Sequence, residues 1–283
     1  MKLLQIRHLL ALFLPIASTY KIESCDNSQP AVEYAITLAQ TTMIRPLLDL
    51  QRGISSEHGY TAMYKSNVFK SFLQKLMTNI LHLPVTQAAG RDQEPVFICA
   101  KAGMGQKYGI GYDPLDRCGQ TGVTSFWAED TVLVFLCPSF PNMRFQPSFT
   151  PGGPRDIYCP VVQNNVFLGR SDPLVKYQNY DLVHQLAHLY LQDGGLTGQT
   201  EPKEVMDWNS CVGLGWTPVE GGLSVKNPFN SVYYAAFVNQ ECTQMPDPFI
   251  SPFSGQNDQT GLLSGGNMTN ALNTNGTDLR LQS

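Results

Sequence analysis

What this chain lacks narrows its chemistry before any motif is considered. Only 15% of its 283 residues are charged, and 23 acidic side chains outnumber 19 basic ones, giving a formal charge of −4. That leaves no basic surface for phosphate backbones and argues against a nucleic-acid binder of the electrostatic kind. Cysteine occurs seven times but never as CxxC, so neither a thiolate zinc site nor a thioredoxin-like redox pair is expected. Glycine shows no period of three, there is no internal repeat, and beyond the first twenty residues no apolar run reaches the ~18 residues of a membrane span. What is present, 42% hydrophobic and 10% aromatic side chains, suffices to bury the core of one large domain or two small ones.

The N-terminus reads as a targeting segment. A charged start (Lys2, Arg7) precedes the apolar run Leu9–Ile16 and then the small residues Ala17-Ser18-Thr19, the layout of a signal peptide spanning residues 1–19. Its removal leaves 17 Lys and Arg against 23 Asp and Glu, or −6. The mature chain is expected to be secreted, extracellular, free of a membrane anchor and monomeric. Cys25, Cys99, Cys118, Cys137, Cys159, Cys211 and Cys242 all follow the cleavage point, where an oxidising compartment pairs most of them. Cys118 with Cys137 is the plausible local pair, because the strand-like segments between them can fold back as a hairpin. The remaining connectivity is open, and the odd cysteine is a free thiol, an intermolecular bridge or a small buried hydrophobe. The sequons Asn267-Met-Thr and Asn275-Gly-Thr suit a secreted glycoprotein.

Three zones follow. Ala31 to Leu50 and Tyr60 to Leu83 carry apolar residues three and four apart, among them Phe69, Phe72, Leu73, Leu76, Ile80 and Leu81, with Pro46 and Pro84 as punctuation. From about 94 to 170 the pattern changes to short strands, at 95–100, 122–127 and 131–137. Helices return from 171 to about 242, with Asp172-Pro173 as a start signal. Beyond Pro246 the chain is rich in Ser, Gly, Asn, Gln and Thr, which predicts a disordered tail over 246–283 behind a folded domain at 20–245. The class is α+β, with helices flanking a small sheet. Whether the segment from Lys21 to about Gln29 belongs to that domain or is only a short leader is left open by the sequence.

Residues 181–191, Asp-Leu-Val-His-Gln-Leu-Ala-His-Leu-Tyr-Leu, carry the chemistry. Leu182, Val183, Leu186, Leu189 and Tyr190 form a buried helical stripe. His184 and His188 stand four apart, so their rings project from one face and can share a zinc ion at about 2.0–2.1 Å each. Two core histidines satisfied by hydrogen bonds are the bland alternative. A third ligand must come from elsewhere: Gly194 stands where a metzincin histidine would be, and Asp193, Glu201, Glu204 and Asp207 are the nearby carboxylates.

With these residues in view, the chain resembles the fungal deuterolysin-like zinc endopeptidases (aspzincins, with the lysine-specific metallo-endopeptidase domain), whose pattern is HExxH with a downstream Asp. His184-Gln-Leu-Ala-His188 takes the place of HExxH, and 132–140 looks like the strand that ends in Cys-Pro-x-Phe. Val205-Met-Asp-Trp-Asn-Ser210 takes the place of GTxxDxxYG, which makes Asp207 the implied third ligand. Asn230–Asn239 is similar to the family's Asn-Ala-Asp-x-Tyr-x-x-Phe-Ala-Asn helix, aligning Tyr234 and Phe237. The resemblance implies a zincin-like fold with N-terminal helices, a small sheet, an active-site helix and C-terminal helices. It also implies Zn2+ held by His184, His188 and Asp207.

The departures are chemical. Gln185 stands at the general-base position, where a carboxamide keeps the shape of Glu without its basicity. Such a loss typically removes about 10²- to 10⁴-fold in rate. The segment at Asp207 lacks the Gly-Thr start and the Tyr-Gly end, which leaves Tyr233 or Tyr234 to stabilise an oxyanion. A related fungal HRxxH group also replaces the Glu. The expectation is a zinc-binding pseudopeptidase that binds a peptide or protein ligand or scavenges zinc. The alternatives are an active metalloendopeptidase using Glu201, Glu204 or Asp193 as base, and a metal-free, disulfide-stapled structural or adhesive protein.

Overall fold

Alternation along short strands sets the frame of the fold. A computed structural model describes residues 19–52, 59–88, 90–143, 161–163, 166–168, 176–192, 195–197, 202–216 and 221–239. The signal peptide (apart from its last residue), the tail, both sequons, His58, Cys159, Asp172-Pro173, Asp193, Gly194, Glu201 and Cys242 lie outside the described residues. In chain order the elements are β1 (Lys21–Glu23), α1 (Gln29–Thr42), α2 (Ile44–Arg52), α3 (Gly59–Tyr64), α4 (Lys70–His82), β2 (Thr86–Ala88), β3 (Arg91–Gln93), β4 (Val96–Cys99), α5 (Met104–Tyr108) and α6 (Pro114–Cys118). There follow β5 (Ser125–Trp127), β6 (Leu133–Leu136), β7 (Val161–Gln163), β8 (Val166–Leu168), α7 (Gln178–Leu191), α8 (Trp208–Trp216), α9 (Gly221–Lys226) and α10 (Pro228–Asn239). The class is α+β, as the sequence predicts.

The main sheet has the order β1-β4-β6-β5. β1, β4 and β6 run parallel, with Lys21 opposite Val96 and Val96 opposite Leu133, while β5 is antiparallel to β6 with Ser125 opposite Leu136. Side chains on a strand alternate between faces. Phe97, Val134, Leu136 and Trp127 enter the large core shared with the helices. Ile98, Phe135, Cys137 and Phe126 face the other way, into a smaller cluster with Met104 of α5. Both faces are therefore covered.

The segment that begins at Lys21 is part of this sheet. β1 pairs with β4, and Cys25 just beyond it is disulfide-bonded to Cys99 at the end of β4. A three-residue strand, Lys-Ile-Glu, carries too little apolar pattern to announce itself; its place is set by the long-range pairing. The Cys118–Cys137 disulfide forms as expected, closing α6 onto the end of β6. Cys211 is a buried free thiol.

The helical zones break where the periodicity gave no warning. The run 31–50 is two helices parted at Met43, and the run 60–83 is interrupted where Lys65 takes a left-handed φ of 50° and the Ser66 hydroxyl accepts from Val68 N–H. Leu73, Leu76, Met77 and Ile80 face the core from α4, whereas Phe72 is 45% exposed. α7 lies centrally, packed against α1, α4, α10 and β5, and is buried from Gln178 to Leu189. No helix among the described residues is long and apolar enough to cross a membrane.

Candidate metal centre

A helix buried on all sides must satisfy its polar side chains inside the protein, and α7 does so with partners that fix its position. Gln178 Nε2 donates to Phe140 O at 2.8 Å, and Asn179 Nδ2 donates to Thr42 Oγ1 at 3.2 Å. Asp181 Oδ2 accepts from the hydroxyls of Thr124 and Ser125, each at 2.8 Å. Gln185 Oε1 accepts from Trp127 N–H at 2.8 Å. The last two residues tie the helix to β5, one turn apart, and so aim the histidine face. Burial pushes the Asp181 carboxyl up to about 6, with the two hydroxyls opposing part of the shift.

His184 and His188 project as their four-residue spacing requires. Their Nε2 atoms are 3.1 Å apart. The Glu204 carboxylate closes the group, with Oε1 at 2.8 Å from His184 Nε2 and Oε2 at 3.3 Å from His188 Nε2. Trp127 lies parallel to the His188 ring at 5.9 Å, and Phe229 covers His184 at 4.2 Å. These apolar walls keep the three polar groups out of water: the two rings are 9% and 8% exposed and the Glu204 side chain 4%. Burial alone would raise the Glu204 carboxyl, but the charges and hydrogen bonds of His184 and His188 outweigh it and hold the group well below the usual carboxylate range. Burial pulls His188 down, partly opposed by Glu204.

Glu204 belongs to no helix or strand, so its position depends on backbone contacts. Its N–H donates to Thr197 O at 2.9 Å, and its neighbour Val205 is hydrogen-bonded through both backbone groups to the side chain of Asn227. Asn227 sits between α9 and α10 and also donates to Asn230 Oδ1 at 2.7 Å.

Two imidazoles and one carboxylate whose ligand atoms all lie within 4.8 Å of one another can hold a metal ion. The separations of 3.1, 2.8 and 3.3 Å, the last two to different oxygens of Glu204, lie at or up to about half an ångström below the spacing of about 3.3 Å expected for donors around one tetrahedral ion with bonds of about 2.0–2.1 Å. The donor set therefore fits a divalent cation of the nitrogen- and oxygen-binding kind.

The other predicted site residues are placed differently. Asp207, expected as the third ligand, is exposed; its Oδ1 accepts from Ser210 N–H at 2.9 Å, capping α8, and the carboxylate at the histidines is Glu204, three residues earlier. Tyr234 is wholly buried and packs edge-on against Tyr60 and Tyr64, and its hydroxyl is committed to Asp49 Oδ2, to which it donates at 2.7 Å. Tyr233 donates to Met206 O at 2.7 Å. Gln185 is adjacent to the group, but both ends of its amide are engaged, by Trp127 N–H and by His184 Nδ1 at 3.1 Å. The sequence signal for Glu204 was only that of one carboxylate among four; the contacts that select it are tertiary. Compared with protein-family models the chain matches none, and no curated protein matches it significantly.

Proposed function

We propose that this chain is a secreted zinc-binding protein with a metallopeptidase-like scaffold and little or no hydrolytic activity. The observation that carries the reading is the convergence of His184 Nε2, His188 Nε2 and the Glu204 carboxylate in a buried, aromatic-walled site. Two His and one Glu are a familiar ligand set for zinc with an open fourth position. Bound there, the ion would supply a Lewis acid and an acidified water. A sheet whose outer antiparallel strand runs beside the histidine helix is in keeping with a zincin-like arrangement. The two disulfides agree with an extracellular protein.

The weak hydrolysis follows from Gln185. A carboxamide has no useful basicity near neutral pH, and this one is held between a backbone donor and an imidazole. Glu204, one of the alternative bases, is occupied with both histidines. The test is digestion of casein or a peptide library by the zinc-loaded mature chain. The expected result is no cleavage above background. Zinc-dependent cleavage abolished by His184→Ala would overturn the pseudopeptidase reading in favour of an active endopeptidase.

A further inference from the structure

We infer that Gln185 fixes the proton of His184 on Nε2, the nitrogen that faces Glu204 and His188, and thereby weakens cation binding by the site. Donors and acceptors fix the arrangement. Trp127 N–H is a backbone donor that cannot change role, so the amide atom it meets, at 2.8 Å, must be the oxygen of Gln185. The –NH2 end then faces His184 Nδ1 at 3.1 Å, and that nitrogen must offer its lone pair. A neutral imidazole with a lone pair on Nδ1 carries its hydrogen on Nε2. There it donates to Glu204 Oε1 at 2.8 Å, so the run Trp127–Gln185–His184–Glu204 alternates donor and acceptor throughout, while the –NH2 of Gln185 also hydrogen-bonds the Asp181 carboxyl.

A cation needs the opposite tautomer. For Nε2 to bind it, the ring proton must move to Nδ1, with no net gain or loss of protons, and there it meets the –NH2 of Gln185. Turning the amide over moves the clash to Trp127 N–H. A carboxylate at this position would resolve both contacts, because its two oxygens can accept from Trp127 N–H and His184 Nδ1–H together. Gln185 thus does more than lack basicity. His188 carries no such restraint, since its buried Nδ1 has no hydrogen-bond partner among the described residues. The consequence for affinity rests on the metal-centre reading proposed above; the tautomer itself does not.

The experiment reads the two parts separately. Nitrogen-15 NMR of the metal-free chain should show His184 with its proton on Nε2 and a bare Nδ1. In Gln185→Glu the proton should move to Nδ1. Competition with a chelator should then show zinc bound roughly 10- to 100-fold more tightly by Gln185→Glu than by the parent, the scale of outer-shell effects on metal sites. Gln185→Met, which adds no charge, should also tighten it. A parent His184 protonated on Nδ1 overturns the inference, as does tightening by Gln185→Glu with Gln185→Met at or below the parent, which assigns the gain to charge. The expected nitrogen pattern with no zinc affinity in any of the three proteins overturns the metal-centre reading and the claimed consequence while the tautomer stands.

Discussion

The carboxamide of Asn227 grips both backbone groups of Val205: Oδ1 accepts from its N–H at 3.1 Å, and Nδ2 donates to its C=O at 3.0 Å. Val205 follows Glu204, so this side chain stands in for a strand partner beside a metal-site carboxylate that has no regular element of its own. Asn227→Ala should leave the two backbone groups unpaired and cost about 1–3 kcal/mol, measured by urea unfolding. It should also weaken zinc binding on the order of 10-fold in a chelator competition. Equal affinity in parent and variant would show that Glu204 is held by other contacts.

Glu204 and Asp207 make a direct pair of tests. Glu204→Gln removes the anionic ligand and should lower zinc affinity by at least about 10- to 100-fold. Asp207→Ala should leave that affinity within about threefold while costing around 1 kcal/mol through the lost helix cap. The reverse pattern would place the ligand where the family resemblance implied it.

Asp181 should reveal itself in pH dependence. The folded state raises its carboxyl from 3.8 to about 6 and so favours the protonated form. The cost of ionising it in place is absent below pH 3.8, grows as pH rises through that interval and is complete above about pH 6. A shift of that size corresponds to on the order of 3 kcal/mol. Asp181→Asn keeps one oxygen for the Thr124 and Ser125 hydroxyls, so its stability relative to the parent should improve between pH 4 and 6 and level off above. A stability difference constant over that range would contradict the raised value.

The disulfides close chain segments of very different length. Cys25–Cys99 spans 74 positions and Cys118–Cys137 spans 19. Loop-closure entropy assigns them about 4 and about 3 kcal/mol. Paired serine variants should therefore unfold at lower denaturant in the order parent, Cys118–Cys137 pair, Cys25–Cys99 pair. The opposite order would mean that β1 contributes little once its anchor is cut.

How much of this was legible beforehand depended on whether the cause was local. The apolar runs at 95–100 and 131–137 became β4 and β6, and the spacing of His184 and His188 placed both rings in one group, because side-chain periodicity is a property of the backbone alone. α5 and α6 went unread inside a zone taken for strands, although Asp113 before Pro114 is a helix start and does cap α6 through Leu115 N–H. β1 depends on pairing with a strand 75 residues away. Glu204 depends on Asn227, and the commitment of Tyr234 depends on Asp49; neither partner is near in sequence, and neither leaves a periodic trace.

The central claim is that His184, His188 and Glu204 together hold one zinc ion. Metal analysis of the purified mature chain, joined to a calorimetric zinc titration of the chelator-stripped protein, tests it most directly. One equivalent should bind, raise the melting temperature as mass action requires, and be lost in the His184→Ala/His188→Ala variant. A melting temperature indifferent to zinc and to chelator, with no bound metal, would contradict it and leave a disulfide-stapled protein whose histidines and glutamate serve only each other.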